Sequence, residues 1–308
     1  MKPNFRPTDL FRHPIAVSLL ALTAAVAWGW AYPLIKLGFE AFAITPDMTA
    51  GKMLFAGIRF SLSGLIILGV ARAARRPFAL RKKTDGGFIL LFALLNTTLH
   101  YAFFYIGLSH SQGARAAILN SLSVFAVVLL SCLFFKSERL TWQRAAGCVV
   151  GFAGILTLHA GKGGSGAFTW LGDGMIILNA LCGALASLLT RGLGRRVDVF
   201  VGTGYSLALG GVLLLVPAML MGAVLPRITP GGLAILTALV GISTIGFTLY
   251  NKLLTCNPVG KVAIYNSLIP VVGAVTSCLC LGEAFRIQYV VAGTLAAAGI
   301  FIIQKGKK

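Results

Sequence analysis

The chain has 308 residues, of which 57% are hydrophobic and only 11% are charged, and its mean hydropathy is +0.87. Soluble domains carry a charge on about a quarter of their residues, so this composition excludes an ordinary water-soluble globule and indicates a protein embedded in a lipid bilayer. The formal net charge of +19 does not indicate nucleic-acid binding, because the basic residues lie in short connections between apolar stretches and not on one soluble face.

Apolar stretches predict an all-α integral membrane protein with ten transmembrane helices, and no segment shows useful strand-like alternation. The first stretch, 14–36, resembles a signal peptide, but its apolar run continues past the cleavage-like Ala25-Val26-Ala27. About 22 residues at 1.5 Å each cross a core of about 30 Å, so we expect an uncleaved first helix. The other stretches lie near 53–71, 87–108, 115–135, 142–160, 171–190, 199–221, 232–254, 261–281 and 287–303.

Basic residues set the expected orientation of these helices. With the N-terminus inside, twenty of the 27 Lys and Arg residues fall on the inner side, six fall on the outer side and Arg59 lies within a span. Because Lys and Arg favour the cytoplasmic side, we expect a multi-pass protein of the cell (inner) membrane with both termini cytoplasmic. The six outer residues are Lys36, Lys52, Arg115, Lys162, Arg227 and Arg286.

The chain contains an internal repeat. Residues 113–122 read GARAAILNSL and residues 259–268 read VGKVAIYNSL, an offset of 146 that pairs Asn120 with Asn266. Each copy holds five predicted helices, an odd number, so the second copy enters the membrane from the opposite side. Such inverted repeats occur in many secondary transporters, whose substrate site lies near the midplane between the copies. The predicted organisation is an N-terminal tail at 1–13, a first repeat at 14–160, an outer glycine-rich linker at 161–170, a second repeat at 171–303 and a basic tail at 304–308.

Two prolines predict breaks in the helices. Pro270 lacks an N–H and clashes with the carbonyl of Asn266, four residues back. The amide side chain and the free backbone carbonyl of Asn266 therefore lie at the same depth in the membrane. In lipid such groups need protein or a water-filled cavity. Asn266 and its repeat mate Asn120 therefore either line a cavity or form helix–helix hydrogen bonds. Pro33 predicts a similar break, whereas Val124 stands at the position matching Pro270, so the Pro270-type break is expected only in the second half.

Other candidates for a substrate cavity are ionisable, aromatic or polar residues within spans. Arg59 is costly if it faces lipid, so it must face a cavity, a partner or the interface. His100 is either a hydrogen-bonded core residue or functional. Trp28 lies near mid-span and predicts a pocket wall, whereas Lys36, near the outer end, is expected to extend to the interface. The remaining candidates are Tyr32, Phe104, Asn179, Ser187, Thr244 and Tyr265.

The eight carboxylates all fall in loops or at span ends. No acid is therefore expected at the midplane to balance a lipophilic cation, which favours a neutral, zwitterionic or carboxylate-bearing substrate. If transport is coupled to protons, His100 is the candidate residue to carry them. Glu283 is expected at a hairpin turn, paired with Arg286.

No motif predicts a catalytic residue, a metal site or a cofactor. The G-x-G-x-x-G at 161–166 follows a helix and not a strand, so it predicts a flexible loop.

Several tracts in both copies carry a resemblance to a known family: 101–108 (YAFFYIGL), 113–119 (GARAAIL), 258–275 (PVGKVAIYNSLIPVVGAV), 281–283 (LGE), Trp28-Gly29-Trp30 with Lys36, and Arg59-Phe60. They resemble the EamA-type carriers of the drug/metabolite transporter superfamily, over nearly the whole chain. The resemblance implies a ten-helix transporter of a small molecule. Most such proteins export amino acids and other metabolites, and some import them.

We therefore expect a secondary transporter that moves a small metabolite, such as an amino acid, by alternating access, as a monomer or weak dimer. Export is favoured only because most members of this family are exporters, and uptake or exchange is the alternative mode of transport. A channel or scramblase and an intramembrane enzyme are the alternatives of other classes. The enzyme would need a nucleophile with a base at matching depth, and the sequence offers none.

Overall fold

A computed structural model describes residues 11–134, 140–157, 167–257, 262 and 264–305, and within these ranges the regular structure is helical throughout, as predicted. The predicted tail up to residue 10, linker residues 161–166 with Lys162, and residues 306–308 lie outside the described residues. The helices are α1 (Pro14–Ala41), α2 (Thr49–Ala73), α3 (Asp85–Ala93), α4 (His100–Ser109), α5 (Gly113–Asn120), α6 (Leu122–Phe134), α7 (Trp142–Thr157), α8 (Met175–Leu193), α9 (Val199–Leu220), α10 (Pro230–Cys256), α11 (Leu268–Leu281) and α12 (Ile287–Lys305).

Three irregular helical segments connect or precede these helices. A π-helical segment, Leu94–Leu99, joins α3 to α4 without a gap, and a second, Trp170–Gly174, leads into α8. A 3₁₀ turn, Ile264–Ser267, leads into α11.

Seven helical stretches of the described residues are long and apolar enough to cross a membrane. The helices α11 and α12 are apolar but shorter, and the count of ten spans stays a prediction. The seven stretches are Pro14–Ala41, Thr49–Ala73, Asp85–Ser109, Gly113–Phe134, Trp170–Thr190, Val199–Leu220 and Pro230–Cys256.

Glycines bring α2 and α9 into backbone contact. A Cβ placed on Gly64 would lie 2.2 Å from the amide nitrogen of Ala208 and 2.7 Å from the carbonyl oxygen of Gly204. A Cβ on Gly57 would likewise lie 3.0 Å from the carbonyl oxygen of Gly211. Because residue 57 meets 211 and residue 64 meets 204, the two helices run antiparallel. Small residues permit this close approach, which supplies packing contacts that lipid cannot provide as a driving force.

Two further pairs of helices, α7 with α12 and α5 with α11, also cross in antiparallel fashion. A Cβ on Gly299 would lie 2.5 Å from the carbonyl oxygen of Gly147, and one on Gly154 would lie 2.7 Å from the Cβ of Leu295. A Cβ on Gly273 of α11 would lie 2.7 Å from the Cβ of Ala117 in α5. In α2–α9 and α7–α12, a helix of the first half meets the helix at the corresponding position of the second half. The helices α5 and α11 belong to corresponding predicted spans, 115–135 and 261–281, but lie in different parts of them.

The helix breaks differ from the prediction. The helix α1 runs without interruption through Pro33, so the predicted break there is wrong. A proline removes one backbone donor, and neighbouring helices can hold a membrane helix together around it. Here α11 packs so closely on α1 that a Cβ on Gly29 would lie 2.5 Å from Val272 Cγ1. Near Pro270, the interruption is the 3₁₀ turn that precedes α11, and Pro270 lies in the first turn of α11.

The first half is also interrupted, although it has Val124 where the second half has Pro270. Between α5 and α6, the Ser121 hydroxyl donates to the carbonyl of Ile118 at 2.6 Å, and the Val124 amide donates to the carbonyl of Ser121 at 3.0 Å. These bonds span three residues and replace the four-residue pattern of an α-helix. A serine therefore interrupts the helix at the position that corresponds to the 3₁₀ turn, and the expectation that only the second half is interrupted is wrong.

The α2–α9 crossing predicts a sharp difference between two glycines of α2. Gly64→Val would drive side-chain atoms into the α9 backbone, and overpacking of this kind typically costs about 1–3 kcal/mol. The midpoint of thermal unfolding in detergent should therefore fall by several degrees. Gly69→Val is the matched control, because a Cβ at Gly69 has nothing within 4 Å. Equal midpoints for the two variants would contradict the backbone contact.

Candidate functional site

A cavity of about 820 Å³ lies between helices of the two halves. At one end, here called the open end, its lining reaches the exposed residues Gly194, Arg195 and Thr255. At the other end its lining stops at the buried residues Ile35 and Arg59. The described lining includes Trp28, Tyr32, Arg59, Asn96, His100, Tyr101, Phe104, Asn120, Ser123, Val124, Ser187, Phe247, Tyr250, Lys252, Asn266 and Ile269.

Arg59 lies at the deep end of the cavity and is only 1% exposed. Its Nε donates to the Ser243 hydroxyl at 2.9 Å and to the carbonyl of Leu239 at 3.2 Å, and Nη1 donates to the Tyr105 hydroxyl at 3.0 Å. The guanidinium also lies 4.9 Å from the ring centroid of Phe60. Its hydrogen-bond acceptors among the described residues are therefore all neutral.

Aromatic rings form one wall of the cavity. The Trp28 ring meets Tyr250 and Phe247 edge to face, with centroids 5.1 and 5.4 Å apart. A Cβ on Gly246 would lie 2.6 Å from Trp28 Nε1, so only a glycine leaves room for the indole. The indole N–H is buried and has no acceptor among the described residues. Tyr32 and Phe104 add a second edge-to-face pair at 5.3 Å.

The two repeat-related asparagines both line the cavity and form helix–helix hydrogen bonds. Asn120 Nδ2 donates to the Tyr32 hydroxyl at 2.9 Å, and Asn179 Nδ2 donates to Asn120 Oδ1 at 2.7 Å. Asn266 Nδ2 donates to the Tyr250 hydroxyl at 2.6 Å. The two alternatives left open by the sequence are thus combined in the same side chains, because one amide group offers several bonding positions.

His100 follows directly on the π-helical segment Leu94–Leu99 and faces the cavity. Its ring packs against α8, where a Cβ on Gly183 would lie 2.7 Å from His100 Cε1. Its Nδ1 is buried without a hydrogen-bond partner among the described residues. Asn96, within the π-helical segment, donates to the Ser206 hydroxyl at 3.0 Å and also lines the cavity. Such π-helical insertions are frequent at functional sites, and no sequence signal pointed to this one.

Three predicted residues do not line the cavity. Asn179 lies behind Asn120 and is fully buried. Tyr265 donates to the Ser18 hydroxyl at 2.6 Å, between the 3₁₀ turn and α1. The Thr244 hydroxyl is buried without a partner among the described residues. Ser187 does line the cavity, and its hydroxyl donates to the carbonyl of Gly183 in its own helix at 2.8 Å. The part of any of these residues in substrate binding stays a prediction.

The opposite end, here called the closed end, is held by Glu283. Its carboxylate accepts from Lys36 Nζ at 3.1 Å and from the backbone amides of Gly113 and Ala114 at 2.7 and 3.1 Å. It therefore caps the N-terminus of α5, where backbone N–H groups favour an anion. Lys36 also donates to the carbonyl of Ser111 at 2.9 Å. That Lys36 extends to the interface stays a prediction; the structure adds that its ammonium pairs with a carboxylate from the other half.

A second ion pair lies at the same end. Arg115 binds Asp173 in a bidentate pair, with Nε–Oδ1 and Nη2–Oδ2 distances of 2.8 and 2.6 Å. Both side chains are at most 4% exposed. The sequence placed Arg115 on the outer side without identifying this acid as its partner. Asp173 lies at the end of a span, but tertiary packing buries it against the start of α5.

Metal binding has no candidate in the part of the chain that the structure describes, because no three His, Cys, Asp or Glu side chains come together there. The six cysteines are free thiols.

The comparisons with known proteins place the chain in a family. Residues 15–159 and 170–304 each match the EamA-like transporter family. An uncharacterized transporter of Bacillus subtilis, YvbV, is 27% identical over 295 residues, which cover 94% of this chain and 92% of YvbV. A probable terminal-alkyne amino-acid exporter of Streptantibioticus cattleyicolor is 26% identical over 94% of this chain and 93% of its own.

A solved crystal structure superimposes with a TM-score of 0.69 at 20% identity, covering 93% of this chain and 95% of that one. At this identity the likeness shows the fold alone. The family matches confirm the resemblance to EamA-type carriers that the sequence motifs indicated.

The Asn179–Asn120–Tyr32 chain of hydrogen bonds predicts a coupling between two asparagines. Asn120→Leu would leave the Asn179 amide and the Tyr32 hydroxyl buried without their partner, at a cost of about 1–3 kcal/mol. The double variant Asn120→Leu/Asn179→Leu should unfold at a higher temperature than additive losses predict, because both partners are then apolar. Ser187→Ala is the control, since its hydroxyl bonds only within its own helix. Additive losses in a double-mutant cycle of thermal unfolding would contradict the coupling.

Proposed function

The chain belongs to the EamA-like transporter family, and on this premise we propose that it is a secondary transporter that exports a small metabolite across the cell membrane by alternating access. The observation that carries the proposal is the cavity of about 820 Å³ between the two halves, whose described lining reaches exposed residues at one end only. A carrier exposes its binding site to one side at a time, whereas a channel needs a path that is open at both ends.

The arrangement of the halves supports an inverted repeat of five helices each, spanning 14–160 and 171–303. Two pairs of helices at corresponding positions, α2 with α9 and α7 with α12, cross in antiparallel fashion, as an inversion requires, and so do α5 and α11 from the corresponding fourth and ninth predicted spans. In this arrangement the open end, which carries Arg195 and Lys252, faces the cytoplasm together with both termini. The closed end then faces outward.

The closed end supplies the gate of the proposed cycle. Glu283 joins α11 to Lys36 of α1 and to the first amides of α5. Outward opening would require these bonds to separate, so their free energy biases the transporter toward the state in which the cavity is open to the cytoplasm. A balance between two states shifts when the contacts of one state are weakened.

The cargo we propose is an amino acid or a similar neutral, zwitterionic or carboxylate-bearing solute. The described residues that line the cavity include no Asp or Glu, which argues against a lipophilic cation. Export is favoured by the similarity to the probable terminal-alkyne amino-acid exporter of Streptantibioticus cattleyicolor, which extends over nearly the full length of that protein. Proton coupling, if it operates, would fall to His100. We propose a monomer or weak dimer as the working unit.

Transport can be tested by counterflow in proteoliposomes, after a thermal-shift screen of metabolites has selected a stabilising ligand. We expect saturable uptake that is accelerated by the same solute on the opposite side. Trp28→Ala and Asn266→Ala should reduce that flux at least about 10-fold, because each removes part of the cavity lining. Trp30→Ala is the matched control on the same helix, since Trp30 is 42% exposed.

Linear flux without acceleration from the opposite side would indicate a channel and contradict the proposal. Wild-type flux in both Trp28→Ala and Asn266→Ala, at normal expression, would show that the cavity is not the substrate path.

The gate can be tested with Glu283→Gln, which keeps the shape of the side chain and removes its charge. In a cysteine-free background carrying Ser111→Cys, we expect a membrane-impermeant maleimide to label the closed end several-fold faster in the Gln variant. A Thr255→Cys reporter at the open end should become slower to label. Asp47→Asn, at an exposed acid of the 42–48 connection, is the control. Unchanged labelling at both positions in a folded Glu283→Gln protein would contradict the gate.

A further inference from the structure

We propose that Arg59 is the anchor for a substrate carboxylate, and that the substrate is an organic anion with an apolar or aromatic body and no compensating ammonium group. This inference rests on the transport function proposed above. It narrows the proposed substrate from a neutral, zwitterionic or carboxylate-bearing solute to a carboxylate-bearing anion.

The geometry of Arg59 leaves one side of its guanidinium without a protein acceptor. Nε and Nη1 bond to Leu239, Ser243 and Tyr105, whereas Nη2 has no acceptor among the described residues. The side chain is 1% exposed and lines the cavity. A buried cation without a counter-ion is costly inside a membrane. A carboxylate in the cavity would supply the counter-ion, and the planar guanidinium suits it because its N–H donors match carboxylate oxygens.

The buried or half-buried cations Arg115, Lys36 and Lys52 each have a carboxylate partner or lie outside the cavity lining. Arg115 has its carboxylate in Asp173, and Lys36 has Glu283. Lys52 is also buried, but it lies at the closed end outside the cavity lining, and it donates to the carbonyl of Pro46 and to Ser109. Arg59 thus combines a buried charge, neutral protein partners and a place on the cavity wall.

The charge of the lining indicates an anion and not a zwitterion. Arg59, Arg195 and Lys252 line the cavity, and its described lining residues include no carboxylate. An ammonium group would enter a cavity whose described lining carries two cations at the open end, Arg59 at the deep end and no acid to pair with. The body of the ligand would instead pack against the rings of Trp28, Phe104 and Phe247, which suit an apolar or aromatic group.

An anionic cargo also explains how export could run although the described cavity lining offers no acid for proton coupling. Each cycle would move one net negative charge outward. An inside-negative potential drives that movement, and 100 mV shifts the equilibrium distribution of a univalent anion about 50-fold. A zwitterion would gain nothing from the potential.

The first experiment compares matched ligands on the wild-type protein in detergent. The probes are phenylacetate against phenylacetamide, 4-methylpentanoate against 4-methylpentanamide, and L-phenylalanine as the zwitterion. We expect the carboxylates to raise the unfolding midpoint at concentrations at least about 10-fold below those needed for the amides, because only they pair with Arg59. Equal stabilisation by acid and amide, or no stabilisation by either acid, overturns the anchor. Stronger stabilisation by L-phenylalanine than by phenylacetate overturns the anionic class.

The second experiment assigns the preference to Arg59. Arg59→Gln should bind acid and amide alike, whereas Ser243→Ala, which removes one hydrogen bond to Arg59 but keeps its charge, should retain the preference for the acid. A preference that persists in folded Arg59→Gln overturns the anchor. If Arg59→Gln does not fold, Arg59→Lys replaces it. A weakened preference for the acid is expected, because an ammonium lacks the planar N–H donors of the guanidinium, and an unchanged preference contradicts the proposed guanidinium contact.

The third experiment measures phenylacetate efflux from proteoliposomes under a potassium–valinomycin potential. Inside-negative potential should accelerate efflux, and efflux that ignores the potential overturns anionic transport. Failure of the proposed transport function can be distinguished from failure of the anchor, because in that case neither acids nor amides show saturable flux. Saturable flux with equal rates for acid and amide leaves transport standing and removes the anchor.

Discussion

Every polar group inside a bilayer must find its partner within the protein, because lipid tails offer none. That constraint organises this structure. The closed end joins the halves through the buried Arg115–Asp173 ion pair and the half-buried Lys36–Glu283 pair, and Glu283 also caps the α5 N-terminus, so that cations, acids and backbone amides satisfy one another. The amide side chains of the cavity wall satisfy one another and nearby tyrosines in the same way.

Glycine packing makes these polar contacts possible. Helices of corresponding position approach until backbone meets backbone, as at Gly64 and Gly204, and this proximity brings side chains from opposite halves within bonding distance. The crossings are tight at α2–α9 and α7–α12, while the space between α1, α4, α6 and α10 stays open as the cavity. Tightly packed helix pairs around a central cavity form an arrangement in which one half could tilt against the other.

The cavity differs from the closed end in its balance of charge. At the closed end each of the two ion pairs joins a cation to a carboxylate, whereas on the cavity wall Arg59 is held by neutral acceptors alone among the described residues. Charge pairing therefore distinguishes the two regions: the closed end carries carboxylates for its cations, whereas the described cavity lining carries a buried guanidinium and no carboxylate.

The sequence by itself determined the helical class, the membrane location and the family, because apolar length, charge placement and repeated motifs are local properties. It also pointed to Trp28, Tyr32, Arg59, His100 and the paired asparagines, since aromatic, polar or charged residues deep in a span are costly unless they face a cavity or a partner. Eight of the eleven residues named as cavity candidates line the one cavity described here.

Only the tertiary structure decided the partners. Lys36 and Glu283 are separated by most of the chain, and so are Arg59 and Ser243, so no spacing rule could pair them. The interruption at Ser121 formed without a proline because a hydroxyl and three-residue backbone bonds replaced the α-helical pattern, while α1 stayed continuous through Pro33 because α11 packs against it. Which side chains pair across the halves depends on where the helices cross in three dimensions. The positions of the helices, and not the order of residues in the sequence, therefore decide which charges are neutralised and which charge faces the cavity.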